Sequence, residues 1–184
     1  MRSQFTQLLT PKVRQDALLH PMFDNLSDAE ADVIFSLLSY ANLDRGEQIF
    51  SEGDPGNQCY FILSGRVNVT KDLGEGREQR LATLVSGDTF GEIALIDRKP
   101  RSAGCVVGDA GCELLSLSTD TFERLFSAQN PFAYKVLDRI VIDLSRRLRG
   151  ATAQLQRAQS STDLSHRDTL SLKAAQILNS SSRS

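Results

Sequence analysis

Hydrophobic and polar positions follow different patterns in successive parts of the chain, and each pattern predicts a different structure. Residues 1–40 contain two short stretches with apolar residues at helical spacing. Residues 41–118 contain short β-type runs separated by glycine-containing turns. Residues 119–158 return to a helical period, and residues 159–184 form a polar tail that allows a short helix over about 168–178. The chain therefore divides into N-terminal helices, a β domain, C-terminal helices and a tail.

The N-terminal stretches predict helices over residues 11–23 and 26–40. Ser27 followed by an acid three positions later has the spacing of a capping box, which marks the start of the second helix. Val33 and Tyr40 are expected to share the apolar face of that helix.

The middle of the chain is typical of a mainly β fold. Several short strands at close, regular spacing favour a sandwich or barrel over a parallel α/β sheet. Val67, Val69 and Leu81 alternate with polar neighbours, as in strands with one buried face. The glycines between the runs, such as Gly65 and Gly108, are most simply turn residues.

The C-terminal part predicts two helices. Thr119 or Asp120 is expected to cap the first, and Asn130 followed by Pro131 marks the start of a long second helix. The long helix has an apolar seam with alternating gaps of four and three residues: Leu137, Val141, Leu144, Leu148, Ala151, Leu155 and Ala158. This seam could pack on the β domain, but its strict heptad period and polar flanks favour pairing with a second helix. We therefore expect a homodimer formed through residues 131–158.

Composition excludes several kinds of protein. Lys and Arg number 21 against 23 Asp and Glu, and the resulting net charge of -2 argues against a chain that coats nucleic acid. No apolar run is long enough to span a bilayer and no signal peptide is evident, so we expect a cytoplasmic protein without a membrane partner. The three cysteines lack metal-ligand spacing and are expected to be small hydrophobic residues in a reducing compartment, with no metal site.

The stretch "FGEIALIDRKPRSA" at residues 90–103 carries the candidate chemistry. A helical turn that starts near Gly91 offers backbone N–H groups to an anion, and Arg101 offers a planar fork of donors suited to phosphate. Ser102 adds a hydroxyl donor, whereas the Glu92 carboxylate suits a sugar hydroxyl. These residues fit a ligand that carries a hydroxyl beside a phosphate. The alternative is a surface salt bridge between Glu92 and Arg101, worth roughly 0–1 kcal/mol.

This stretch resembles the phosphate-binding cassette of cyclic nucleotide-binding domains, whose pattern is F-G-E-[LI]-A-L followed, after a short spacer, by P-R-[AST]-A. "EGDPGNQCYFILSGRVNV" at residues 52–69 is similar to an earlier signature of the family, and the resemblance covers roughly residues 20–158. It implies an eight-stranded antiparallel jelly roll with helices before and after it. Gly104 departs from the family, because many members carry a larger residue there.

The resemblance also implies roles for individual residues. The Gly91 and Glu92 amides with Arg101 and Ser102 would bind the cyclic phosphate, and the Glu92 carboxylate would bind the ribose 2′-hydroxyl. Position 152, just after an Arg-Arg-Leu in the long helix, would meet the base. The full set of predicted ligand residues is Phe90, Gly91, Glu92, Ile93, Ala94, Arg101, Ser102, Ala103 and Thr152.

The closest-looking branch is the bacterial catabolite-activator-like group, whose transcription regulators continue into a helix-turn-helix domain. The residues after Ala158 are too few and too polar for that domain, so specific DNA binding is not expected. Ser102 favours cyclic AMP as the ligand, with cyclic GMP as the alternative, because members selective for cyclic GMP commonly have Thr there.

The leading hypothesis is a cyclic AMP sensor, without cofactor or enzymatic activity, that signals to an unidentified effector protein through its C-terminal helix. The alternatives are a degenerate dimerisation or docking module that binds no nucleotide, and a fragment of a cyclic AMP-responsive transcription regulator.

Overall fold

The chain forms two compact units, Met1–Ile140 and Val141–Ser184. The computed structural model describes residues 5–6, 9–75, 77–153 and 156. The second unit is helical over 141–153. Within the described ranges, no helix is both long enough and apolar enough to cross a membrane.

The first unit contains a mainly antiparallel sheet flanked by helices, as predicted. Its elements are α1 (Pro11–Leu18), α2 (Asp28–Ser36), β1 (Ser39–Leu43), β2 (Gln48–Phe50), β3 (Gln58–Asp72), β4 (Glu78–Val85), β5 (Thr89–Phe90), α3 (Ile93–Asp97), β6 (Gly104–Ser118) and α4 (Thr119–Ser127). Residues 131–140 are also helical. The sheet has the order β1-β6-β3-β4, with β2 paired to β6 and β5 paired to β3.

The helix starts follow local capping chemistry. The capping box at Ser27 is confirmed, since its hydroxyl accepts from the Glu30 N–H and the Glu30 carboxylate accepts from the Ser27 N–H. The predicted end of this helix is wrong: α2 stops at Ser36, so Tyr40 lies in β1 and Val33 is 55% exposed. The cap of α4 is Ser118 and neither of the predicted residues, because the Ser118 hydroxyl accepts from the Thr121 N–H at 3.1 Å.

The strand count differs from the eight strands that the resemblance implied. The described residues form six strands, because β3 and β6 each join two runs that a glycine separates in the sequence. Gly65 and Gly111 lie inside these strands with φ of +85° and +71°. The register between β3 and β6 shifts on both sides of Gly65, and a Cβ there would lie 2.0 Å from the Gly111 carbonyl oxygen. The two glycines therefore allow a bulge within continuous strands, although the sequence predicts a turn at Gly65.

Alternate residues of β3 contribute to two apolar cores. Cys59, Phe61 and Leu63 pack in a core with α1, α2, α4 and residues 131–140, and this core also holds Leu95 of α3. Tyr60 and Ile62 point to the other face, as the two-residue period of a strand requires. The second core lies next to residues 90–103, and the candidate site is built on it.

Candidate functional site

The candidate ligand segment starts at Phe90, the last residue of β5, and leaves the strand at Gly91. Phe90 is buried and stacks on Tyr60 with ring centroids 4.9 Å apart. Gly91 has φ of +69°, and a Cβ there would lie 2.7 Å from Arg101 Nη1. Both the backbone conformation and the available space therefore require glycine at position 91. Glu92, at the start of α3, is 2% exposed.

Arg101 is the buried cation of the site, with 6% of its surface exposed. Its Nη1 donates to the Gly91 carbonyl at 3.0 Å and its Nη2 donates to the Gln58 carbonyl at 2.7 Å. Its Nε is buried and has no hydrogen-bond partner. The predicted alternative of a surface salt bridge with Glu92 is wrong as to its position, because both side chains are buried.

The loop after β2 holds the backbone around Arg101. The Arg101 N–H donates to the Asp54 carbonyl, and the Gly53 N–H donates to the Arg101 carbonyl, both at 2.9 Å. Gly56 packs tightly against the segment, since a Cβ there would lie 2.6 Å from both Ala94 Cβ and the Lys99 carbonyl oxygen. The signature "EGDPG" thus fixes the position of the arginine, which is a role that the sequence did not reveal.

Two aromatic rings, Phe50 and Tyr60, lie near the guanidinium, and Phe90 packs against both of them. Phe50 stacks with Tyr60 at 5.8 Å and contacts Phe90 at 6.0 Å between centroids. Arg101 Cζ lies 4.1 Å from the Phe50 ring centroid and 5.7 Å from that of Tyr60. In the sequence, Phe50 ends the short β-type run "EQIF" at residues 47–50, and nothing local to that run indicates its distant partner.

Burial and the two charged residues alter the acidity of neighbouring groups. Burial raises the pKa of Tyr60, and the positive charge of Arg101 opposes that increase. Burial also raises the pKa of the Cys59 thiol, and the nearby Glu92 raises it further. Cys59 and the other two cysteines are buried and form no disulfide, and their burial is as predicted for small hydrophobic residues.

The remaining predicted residues differ in position. Ala94 is buried, Ala103 is half-buried, and Ile93 and Ser102 are exposed. The Ser102 carbonyl accepts from Lys71 Nζ at 3.1 Å. Thr152 belongs to the second unit, where its hydroxyl donates to the Leu148 carbonyl at 3.0 Å, and its role toward a ligand stays a prediction.

The departure at Gly104 has a local explanation. Gly104 pairs with Thr70 across the sheet, and a Cβ on Gly104 would lie 2.9 Å from Thr70 Oγ1. The larger residue found in many family members would therefore need the Thr70 side chain to move.

The arrangement is chemically suited to an anion. A buried guanidinium whose Nε–H has no partner is stabilised when an anionic oxygen accepts from that N–H. Gly91 has no side chain of its own to cover its backbone, and Glu92 follows it in the chain. The site thus combines a cation that suits a phosphate with an acceptor that suits a hydroxyl. Both are built on the second core.

Comparison with known proteins agrees with this chemistry. Residues 41–129 match the family model described as the cyclic nucleotide-binding domain. A crystal structure of a cyclic nucleotide-binding domain from Methylobacillus flagellatus KT is 31% identical, with a TM-score of 0.65, and the match covers 76% of this chain and 80% of that one.

Two longer relatives match over part of their length. The cyclic AMP receptor protein of Thermus thermophilus is 33% identical over 135 residues, which are 73% of this chain and 60% of that protein. The cAMP-dependent protein kinase regulatory subunit of Mycosarcoma maydis is 34% identical over 109 residues, which are 57% of this chain and 21% of that protein. The chain therefore spans less than two thirds of either relative. The matched cassette, its buried arginine and the coverage of a solved domain lead to one conclusion: the chain belongs to the cyclic nucleotide-binding domain family.

Proposed function

We propose that this chain binds a cyclic nucleotide, with cyclic AMP preferred, and passes the signal to an effector protein through its C-terminal helical residues. The observation that carries the proposal is the buried Arg101, whose Nε has no hydrogen-bond partner. A buried cationic donor without a partner is costly, and a phosphate oxygen would relieve that cost.

Each cassette residue has a part in this proposal. Arg101 and the Gly91 backbone bind the cyclic phosphate, and Ser102 adds a hydroxyl donor. The Glu92 carboxylate accepts from the ribose 2′-hydroxyl, so it selects a ribonucleotide over a plain phosphate. Thr152 donates to or accepts from the base edge. All of these contacts are binding contacts, and we propose a sensor without enzymatic activity.

The preference for cyclic AMP is supported by Ser102 and by the names of the two longer relatives, which refer to cyclic AMP. In members selective for cyclic GMP, a threonine at this position commonly reaches the guanine amino group, and Ser102 has a shorter side chain. We also propose a cytoplasmic homodimer that does not bind duplex DNA sequence-selectively at physiological salt.

Calorimetric titration with cyclic AMP and cyclic GMP tests the proposal directly. Wild-type protein is expected to bind cyclic AMP more tightly than cyclic GMP. Arg101→Ala is expected to lower affinity by about ten- to a hundred-fold or more, because a charge-assisted hydrogen bond contributes roughly 1.5–3 kcal/mol. Unchanged affinity in this variant, with its fold intact by circular dichroism, would show that the cassette is not the site.

A second candidate function is a dimerisation module that binds no nucleotide. The exposed apolar side chains of the second unit favour it, since Val141 is 61% and Leu148 is 69% exposed. The same titration separates the two functions, because the module would show no binding heat with either nucleotide.

A further inference from the structure

Arg101 places a guanidinium in an apolar setting, which needs an explanation. The second core around it consists of aromatic and aliphatic side chains and two cysteines. Taking a cation out of water is costly unless other groups replace its hydration. Two backbone carbonyls replace part of it along the edge of the guanidinium, at Nη1 and Nη2. Those contacts do not support either face of the planar group.

Phe50 supports one face. Its ring centroid lies 4.1 Å from Arg101 Cζ, well inside the roughly 6 Å range of a cation–π contact. Tyr60, at 5.7 Å, lies near the limit of that range. Phe50 is therefore the main aromatic contact of the guanidinium.

The Phe50 ring is itself held firmly. It is 8% exposed and contacts both Tyr60 and Phe90. Phe50 ends β2, and the loop that follows binds the backbone of Arg101 through Gly53 and Asp54. One short stretch of chain thus holds the arginine at both its backbone and its side chain.

We propose that Phe50 is a positioning residue for nucleotide binding: its ring fixes the plane of the Arg101 guanidinium and so raises affinity for the anionic ligand. The carbonyls of Gly91 and Gln58 fix the edge of the guanidinium, and the Phe50 ring fixes its face. A donor held in its binding geometry loses less conformational entropy when the ligand arrives. This inference rests on the proposed function and assigns a further residue to the same site.

The competing explanation is that Phe50 only fills the core. Phe50→Leu keeps an apolar side chain and removes the ring, whereas Phe50→Tyr keeps the ring. Phe35→Leu is the matched control, because Phe35 is 4% exposed and belongs to the other core. The two leucine variants are expected to lower thermal stability comparably, so a difference in affinity reports on the guanidinium.

Affinity for cyclic AMP is the first readout. Phe50→Leu is expected to weaken binding by about 2- to 30-fold, the equivalent of the roughly 0.5–2 kcal/mol of a cation–π contact. Phe50→Tyr and Phe35→Leu are expected to stay within about twofold of wild type. In an Arg101→Lys background, which lacks the planar fork, the Phe50→Leu factor is expected to shrink. If Phe50→Leu weakens cyclic AMP binding by the same factor with Arg101 and with Arg101→Lys, Phe50 is only a core residue and the proposal is overturned.

The nuclear magnetic resonance of the Arg101 Nε–H gives a second readout that needs no ligand. The Phe50 ring current is expected to shift this signal in wild type, and Phe50→Leu is expected to remove the shift while Phe50→Tyr keeps it. If the shift does not depend on Phe50, the positioning proposal fails whatever the protein binds. If the shift depends on Phe50 but neither nucleotide binds, the proposed function fails, and the ring holds the guanidinium for another purpose.

Discussion

At the scale of single residues, Gly56 shows how the lack of a side chain shapes the site. A Cβ at this position would lie 2.6 Å from Ala94 Cβ and from the Lys99 carbonyl oxygen, and both of those atoms are fixed to the backbone of the cassette. Gly56→Ala is therefore expected to push α3 outward, destabilise the protein by about 1–3 kcal/mol and weaken nucleotide binding. Urea unfolding and calorimetry measure the two effects.

Gly150→Ala is the control for this prediction. A Cβ on Gly150 would have no neighbour within 4 Å, and the residue is helical. Alanine there is expected to leave binding unchanged and to add up to about 1 kcal/mol of helix stability. If Gly56→Ala has the same stability and nucleotide affinity as wild type, the loop after β2 and the cassette can move apart freely.

The site could be predicted from sequence only where its residues are close together in the chain. Gly91, Glu92 and Arg101 lie within one stretch whose order indicates an anion site. Phe50 and Gln58 lie outside that stretch. Gln58 is 43 residues from Arg101 in the chain and contributes a backbone carbonyl, which any residue has. An aromatic residue in a strand is common, so only the folded structure shows that Phe50 supports the arginine.

At the scale of elements, the pattern of alternating strands and turns was predictable, but strand continuity was not. Gly65 and Gly111 have the backbone conformation of turn residues, and the sequence predicts a turn at Gly65. Whether such a glycine ends a strand or forms a bulge depends on what lies opposite. Here the close approach of Gly65 to Gly111 across the sheet keeps both long strands paired. That pairing is a long-range contact, which no local pattern encodes.

His20 connects the end of α1 to the turn before β5. It is 4% exposed, its Nδ1 accepts from the Met22 N–H at 3.1 Å, and its Nε2 lies 3.3 Å from the Asp88 carbonyl oxygen, to which it donates. Both nitrogens are used only when the ring is neutral, since a protonated Nδ1 could not accept. Burial lowers the pKa of His20, and the charge of Arg139 lowers it further against the opposing effect of Asp88.

The free energy of unfolding is therefore expected to depend on pH through His20. Above about pH 6.5, the unfolded value, the ring is neutral in both states and the group has no effect. As the pH falls below that value, the unfolded state takes up a proton that the folded state resists, and stability decreases. Chemical denaturation at pH 7.5 and 5.5 is expected to show a larger loss in wild type than in His20→Asn. Equal losses would mean that His20 does not carry the dependence.

At the scale of the whole molecule, the second unit carries exposed apolar side chains along the predicted seam. The described seam residues Val141, Leu144 and Leu148 are 61%, 37% and 69% exposed. A heptad seam of this kind is stabilised when a second helix covers it, so the proposed homodimer follows from the exposed side chains as well as from their spacing. Sedimentation velocity is expected to show a dimer in wild type.

Leu148→Glu tests this assembly, because it places a charge in the centre of the proposed contact, where burial without a partner is costly. The variant is expected to be monomeric, whereas Arg146→Glu, two positions away on the outer side of the helix, is expected to stay dimeric. If the helical residues carry the signal, cyclic AMP strengthens the wild-type dimer, and dimerisation must then strengthen nucleotide binding by the same factor. A monomeric Leu148→Glu that binds cyclic AMP as tightly as the dimer would separate binding from assembly, and the signal would then have to leave the domain by another surface.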